Sequence, residues 1–190
     1  MNSHSIRQAK AALLLAGLMA AGTAQGQGIS EPGRPNPGGP STNPGAPAGD
    51  RVSAGLVMRE LRQLGASGEL STDSRGDPRI DAKVDNYNWA IFFYGCDKQG
   101  SLEERLCSSL QFFSGYTMNN PISALTTNKF NAENRYIRAY TAVVDTRYAA
   151  RISMDFMFAG TGGDPARIFR SHFSMMKFQT SEFRKLINFK

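Results

Sequence analysis

The chain has two cysteines, and their positions give the clearest chemistry in the sequence. Cys96 and Cys107 enclose ten residues and lie at the ends of two predicted neighbouring strands. A disulfide between them would close a polar loop and, in the chain-entropy description, contribute about 3 kcal/mol. Redox-active pairs usually stand two residues apart near a helix N-terminus, and two cysteines alone make a poor zinc site. We therefore predict a structural disulfide at Cys96 and Cys107, and not a redox or metal centre.

The only histidine after residue 24 is His172, which lies on the last predicted helix. A general base or a metal ligand would need a partner side chain. The positions four residues away carry Ile168 and Met176, and neither can orient or share an imidazole. We predict a structural histidine that is half-buried or faces solvent.

Three further motifs suggest chemistry and are better explained as turns and connections. Arg75-Gly76-Asp77 spells an adhesion tripeptide, but it stands before a proline where Gly76 can supply a positive φ. The glycines of residues 160–164 precede a helix without the Gly-Lys-Ser/Thr ending of a phosphate loop. The spacing of Asp73, Asp77 and Asp81 does not fit a calcium loop. The sequence therefore predicts no catalytic, cofactor-binding or metal-ligating residue.

Adjacent aromatic residues occur twice, as Phe92-Phe93 and Phe112-Phe113. Neighbouring residues in a strand point to opposite faces of a sheet, so each pair predicts one ring on either side. Helices would cover one side. An open face this apolar is unfavourable, so we predict that a second subunit or a bound segment covers the other, with helices or the N-terminal spacer as the alternative. Dimerisation through the sheet is the hypothesis that follows.

These residues require an α+β domain in which helices pack on one face of an antiparallel sheet, in the order α-β-β-β-β-α-β-β-α. The predicted helices share apolar residues every third or fourth position and cover residues 51–64, 122–133 and 164–187. The predicted strands are apolar or alternating segments at residues 69–72, 79–84, 88–94, 108–116, 135–144 and 147–158.

The helix starts and stops carry recognisable residues. Asp50 or Ser53 can cap the first helix, and Gly65 ends it. Pro121 fits the first position of the second helix, and Asp164 precedes Pro165 at the start of the third.

The last two strands predict a hairpin around Asp145-Thr146. Its register is constrained because a one-residue slip would mix the apolar and polar faces. The expected facing pairs are Ile137–Met154, Ala139–Ile152, Thr141–Ala150, Val143–Tyr148, Arg138–Ser153 and Tyr140–Arg151.

The N-terminus has the pattern of a secretory signal peptide in residues 1–24. Arg7 and Lys10 precede an apolar run at residues 11–21, and small residues allow cleavage after Ala24 or Gly26. Eleven apolar residues are too few to span a bilayer, which needs about 20. The pattern predicts a periplasmic or secreted protein whose cysteines meet an oxidising compartment.

A spacer follows at residues 25–50, and the folded domain occupies residues 51–190. Residues 29–50 contain six prolines and five glycines, a composition that cannot form a packed core. The formal charge of +6 falls to +4 without Arg7 and Lys10, and the basic residues are spread along the chain. This distribution does not favour a nucleic-acid partner. No segment after the signal peptide is apolar enough to predict a membrane span.

Four stretches of residues 51–190 resemble the YbjN-domain family, described as bacterial sensory transduction regulators. They are the first helix, TDSRGDPRI from Thr72, NWAIFFYGC from Asn88 with CSSLQFFSGY from Cys107, and FNAENRYIRAY from Phe130. The resemblance implies a fold like that of type III secretion chaperones, small domains that often dimerise and bind peptide segments of partners. It implies no catalytic residue.

The leading expectation is an exported, non-enzymatic binding or regulatory module without a cofactor. It would recognise a protein or peptide partner in the bacterial envelope through the sheet face and its rim, including Arg138, Tyr140 and Arg151. One alternative is a structural or stress-related envelope protein without a discrete ligand. The other is a hydrolase, for which His172 is the single histidine available.

Overall fold

The structure, a computed structural model, describes residues 50–189. The predicted signal peptide and all but the last residue of the predicted spacer lie outside the described residues. The helices are α1 (Ala54–Gln63), α2 (Ala124–Glu133) and α3 (Pro165–Leu186). The strands are β1 (Val52–Ser53), β2 (Ser67–Thr72), β3 (Pro78–Val84), β4 (Tyr87–Tyr94), β5 (Leu106–Cys107), β6 (Ser109–Met118), β7 (Arg138–Val144) and β8 (Arg147–Met157).

The α+β class and the predicted order of elements are confirmed. Six strands form one antiparallel sheet in the order β2-β3-β4-β6-β8-β7, and the three helices occur at the predicted places in the order of elements. The sequence did not predict β1 and β5, which pair with each other as a separate two-stranded sheet. Two residues each are too few to show an alternating pattern.

Two tight hairpins fix the β3–β4 and β7–β8 registers of this sheet. Asp85-Asn86 joins β3 to β4, and Asp145-Thr146 joins β7 to β8, with all four residues at φ between 46° and 70°. Two-residue loops with positive φ at both positions match the right-handed twist of the strands they connect. Every predicted β7–β8 pair that falls within these strands is observed, including Tyr140 opposite Arg151 and Ala139 opposite Ile152.

The helix starts differ from expectation at two places. The first helix begins after Ser53, whose side chain accepts a hydrogen bond from the Leu56 N–H, and not at residue 51. The preceding residues are extended because Val52 pairs with Cys107. The second helix begins after Ser123, so Pro121 precedes the helix and does not start it. The third begins as predicted, with Asp164 as the cap and Pro165 as the first residue.

The helices cover one face of the sheet, and the main core lies between them. Phe112 is fully buried there, and its ring centroid lies 5.1 Å from that of Phe156 and 5.6 Å from that of Phe169. The predicted stripe of α3 supplies Phe169, Phe173, Met176 and Phe183, all buried, with Ile187 just beyond the helix. None of the helices in residues 50–189 combines the length and the hydropathy needed to cross a membrane.

Candidate functional site

Cys96 and Cys107 are joined by a disulfide, as the sequence predicts. The bond ties the chain after β4 to β5, which in turn pairs with β1 at the entrance to the domain. The Arg51 guanidinium lies against the same loop, where its Nη1 and Nη2 donate to the two carboxylate oxygens of Asp97 at 2.9 and 2.8 Å. The disulfide therefore fastens the polar loop to the first residues of the domain.

His172 is half-buried, one of the two positions predicted for it. Its Nδ1 lies 2.8 Å from the carbonyl oxygen of Ile168, one turn earlier in α3. Its ring stacks on Phe156 with the centroids 4.2 Å apart. Both interactions hold the imidazole against the core face of the sheet.

The adhesion-like tripeptide forms the predicted turn. The Asp73 carboxylate accepts hydrogen bonds from the N–H groups of Arg75 and Asp77 at 2.8 and 2.9 Å, and Gly76 has a φ of 76°. Asp77 pairs with Lys98 at 2.6 Å, and Asp81 pairs with Arg79 on its own strand. Residues 50–189 contain no group of three or more histidine, cysteine or acidic side chains that could hold a metal ion.

The glycine-rich segment 160–164 connects β8 to α3. The Gly162 N–H donates to the Asp50 carboxylate at 2.8 Å, and Asp164 accepts from the Ala166 N–H at 3.0 Å. The Asp50 carboxylate closes the domain entrance, and the Asp164 carboxylate caps α3. The segment is a structural connection, as the sequence indicates.

The two rings of each aromatic pair lie on opposite faces of the sheet, as predicted. The expectation that the second face is open and apolar, and so needs a covering subunit, is wrong. Phe92 and Phe113 lie on the face away from the helices and are buried within the monomer. The guanidinium of Arg79 lies 5.3 Å from the ring centroid of Phe92, and that of Arg151 lies 5.5 Å from that of Phe113. Arginine side chains cover apolar surface with their stems and bind ring faces as cations, so these rings need no second subunit. Dimerisation itself stays a prediction.

A row of polar side chains crosses four strands of this open face. The Tyr94 hydroxyl donates to the Gln111 carbonyl oxygen at 3.2 Å, and the Gln111 amide donates to Asp155 at 2.7 Å. Asp155 also accepts from Arg138 at 2.6 Å. The row fixes Arg138 in position at the rim of the sheet.

The three residues predicted as a partner surface are brought together. Tyr140 and Arg151 are directly opposite across β7 and β8, and Arg138 lies two residues before Tyr140 on the same side of β7. Burial raises the pKa of the Tyr140 phenol, while the neighbouring Arg151 opposes that shift. Tyr140 is therefore a neutral hydroxyl at physiological pH and can both donate and accept hydrogen bonds.

A groove of about 540 Å³ lies between α2 and β7, and we call it the α2–β7 groove. Its lining consists of Ile122 shortly before α2, one side of α2 and the first four residues of β7: Ile122, Ala124, Thr127, Asn128, Asn131, Arg138, Ala139, Tyr140 and Thr141. The predicted residues Arg138 and Tyr140 thus belong both to the rim of the open face and to this groove.

Asn131 is the feature of this groove that sequence reasoning missed. Its side-chain amide donates to the Ala139 carbonyl oxygen at 3.0 Å, and its carbonyl oxygen accepts from the Ala139 N–H at 2.7 Å. An asparagine within a helix carries no sequence signal for pairing with a strand eight residues later. The contact depends on how α2 lies beside β7.

No family model matches this chain, and no curated protein matches it. A solved structure with a similar arrangement is the crystal structure of YbjN from E. coli, described as "a putative transcription regulator". The match covers 68% of this chain and 87% of that chain, with 14% sequence identity and a TM-score of 0.44. This is a distant likeness of the fold alone.

Proposed function

We propose that this chain is an exported, non-enzymatic binding module that recognises a protein or peptide partner in the bacterial envelope. The observation that carries this proposal is the α2–β7 groove, which places Arg138 and Tyr140 beside an open strand edge. The groove is an open cleft of about 540 Å³. Its lining combines small apolar side chains with amides and hydroxyls, which suits contacts to a polypeptide.

The ion pair on the open face supports the use of this face as a partner surface. Arg138 is 67% exposed, yet its guanidinium is fixed by Asp155. A side chain that is already ordered loses less conformational entropy when a partner binds. Arg138 therefore offers an exposed cation at small entropic cost.

Export is part of the proposal and rests on the N-terminal pattern, with the disulfide as a consistent feature. We expect the 190-residue chain, expressed in a bacterium, to be recovered from the periplasm or medium without residues 1–24 or 1–26. Intact mass spectrometry of the recovered protein tests this expectation. Recovery of the full-length chain from the cytoplasm would contradict it.

Peptide binding can be tested before any partner is identified. A library of displayed random peptides is selected on the purified protein, and recovered sequences are synthesised and measured by fluorescence anisotropy. We expect the double substitution Arg138→Ala/Tyr140→Ala to weaken binding about tenfold or more, because it removes one charged and one aromatic contact.

The matched control removes one arginine and one aromatic ring from the helical side of the domain. Arg167→Ala/Phe178→Ala takes away an exposed guanidinium and a ring that is 63% exposed on α3. We expect this variant to bind like the wild type. If selection yields no binding peptide, the proposed function is wrong and a structural envelope role gains support. If both double variants bind equally well, the peptide does not bind at Arg138 and Tyr140, and the proposed site is wrong.

A further inference from the structure

The outer edge of β7 presents backbone groups in a regular pattern. Val144 and Arg147 flank a two-residue turn and exchange the first ladder hydrogen bonds of the hairpin. In an antiparallel pair these bonds alternate, so Thr141 and Val143 direct their N–H and C=O groups away from β8. No described residue hydrogen-bonds to these backbone groups. With respect to residues 50–189, two donors and two acceptors therefore form an open row along β7.

Asn131 shows what chemical group this edge accepts. Ala139 belongs to the same outward series, and its N–H and C=O are both taken by the Asn131 side-chain amide. A side-chain amide has the same donor and acceptor as a peptide group. Asn131 therefore imitates one peptide unit of an additional strand and leaves the following positions, Thr141 and Val143, open.

The charges on β7 and β8 indicate which kind of peptide segment fits beside the outer edge of β7. On the open-face side, β7 carries Arg138, which pairs with Asp155 of β8, and β8 also carries Arg151 over the Phe113 ring. A strand added to β7 would place every second side chain on that side. Acidic side chains at those positions would meet an excess of positive charge. The intervening side chains would face the α2–β7 groove, where small apolar and amide groups line the wall.

We propose that an extended, acidic peptide segment of a protein partner adds as a seventh strand to the main sheet, pairing with Thr141 in the α2–β7 groove and with Val143 just beyond it. This inference rests on the proposed function and specifies its mode. Main-chain hydrogen bonds would supply affinity independent of sequence, and the alternating side chains would supply specificity.

Backbone methylation of the ligand tests the pairing while the protein is left unchanged. Peptides recovered from the random library are resynthesised with a single N-methyl group at each position in turn. We expect binding to fall about tenfold at every second residue and to change little between them, because alternate N–H groups point to the strand edge. A loss without a two-residue period would overturn strand addition, while the binding itself would still support the proposed function.

Amide exchange locates the added strand on the protein. We expect the Thr141 and Val143 amides to exchange more slowly when peptide is bound, and the amides of β2, at the other edge of the sheet, to be unchanged. Protection of Thr141 and Val143 in the absence of peptide would overturn the inference. If that protection grows with protein concentration, the occupant is a second copy; if it does not, the occupant is another segment of the same chain.

The charge preference has its own test. We expect replacing glutamate or aspartate by glutamine or asparagine in the bound peptides to weaken binding by about threefold or more for each residue on the arginine side. Binding should also weaken as salt rises, since exposed charges are screened. Selected peptides without acidic residues, bound with no salt dependence, would overturn the acidic character of the ligand.

Discussion

Replacing Phe112 by alanine is expected to lower the free energy of unfolding by about 3–5 kcal/mol. Phe112 is fully buried at the centre of the sheet, and its ring lies between β4, β8 and α3. Its ring centroid lies 5.9 Å from that of Trp89 and 6.3 Å from that of Phe173, in addition to the closer Phe156 and Phe169. Four large rings cannot close around the space that one lost ring leaves, so the penalty includes the residual cavity.

Urea denaturation followed by tryptophan fluorescence measures this loss, because Trp89 reports on the same cluster. The control is Phe178→Ala, which removes a ring of the same size that is 63% exposed on α3. We expect the control to change the free energy of unfolding by less than about 0.5 kcal/mol. Equal effects of the two substitutions would contradict the placement of the core between the sheet and α3.

Removing the disulfide is expected to lower the free energy of unfolding by about 3 kcal/mol. The bond closes a short loop and so restricts the unfolded chain, and it also holds β5 where β1 pairs with it. The variant is Cys96→Ala/Cys107→Ala, which leaves no unpaired thiol. Urea midpoints with and without reductant provide the measurement.

The reductant is the internal control for this experiment. We expect it to bring the wild type down to the stability of the double variant, while the variant itself does not respond. A wild type that is unaffected by reductant under unfolding conditions would contradict the disulfide. A variant as stable as the oxidised wild type would show that the loop needs no covalent closure.

Local patterns were sufficient for much of the fold. The β7–β8 register followed from alternation and from two turn residues, because a slip by one position would bury Arg138 and expose Ala139. The separation of Phe92 from Phe93 followed from the same two-residue period. The cap at Asp164 was recognisable because a short acidic side chain stood directly before a proline.

The candidate site was only partly predictable, because some of its contacts depend on how separate elements pack and not on local patterns. Arg138, Tyr140 and Arg151 could be placed together because all three belong to one hairpin. The pairing of Asn131 with Ala139 could not be predicted, because it depends on the position of α2 relative to an edge strand. The covering of Phe92 by Arg79 depends on β3 and β4 being neighbours, with Arg79 directly opposite Phe92.

The two cysteines also separate what is local in the sequence from what depends on the tertiary structure. By itself the sequence determined that Cys96 and Cys107 could close a loop, since their separation and the strands around them are local properties. Only the tertiary structure decided that this loop anchors the start of the domain, through β1, β5 and the contact of Arg51 with Asp97. Arg51 and Asp97 lie 46 residues apart, and contacts at that separation are fixed by the packing of the whole sheet rather than by any local pattern.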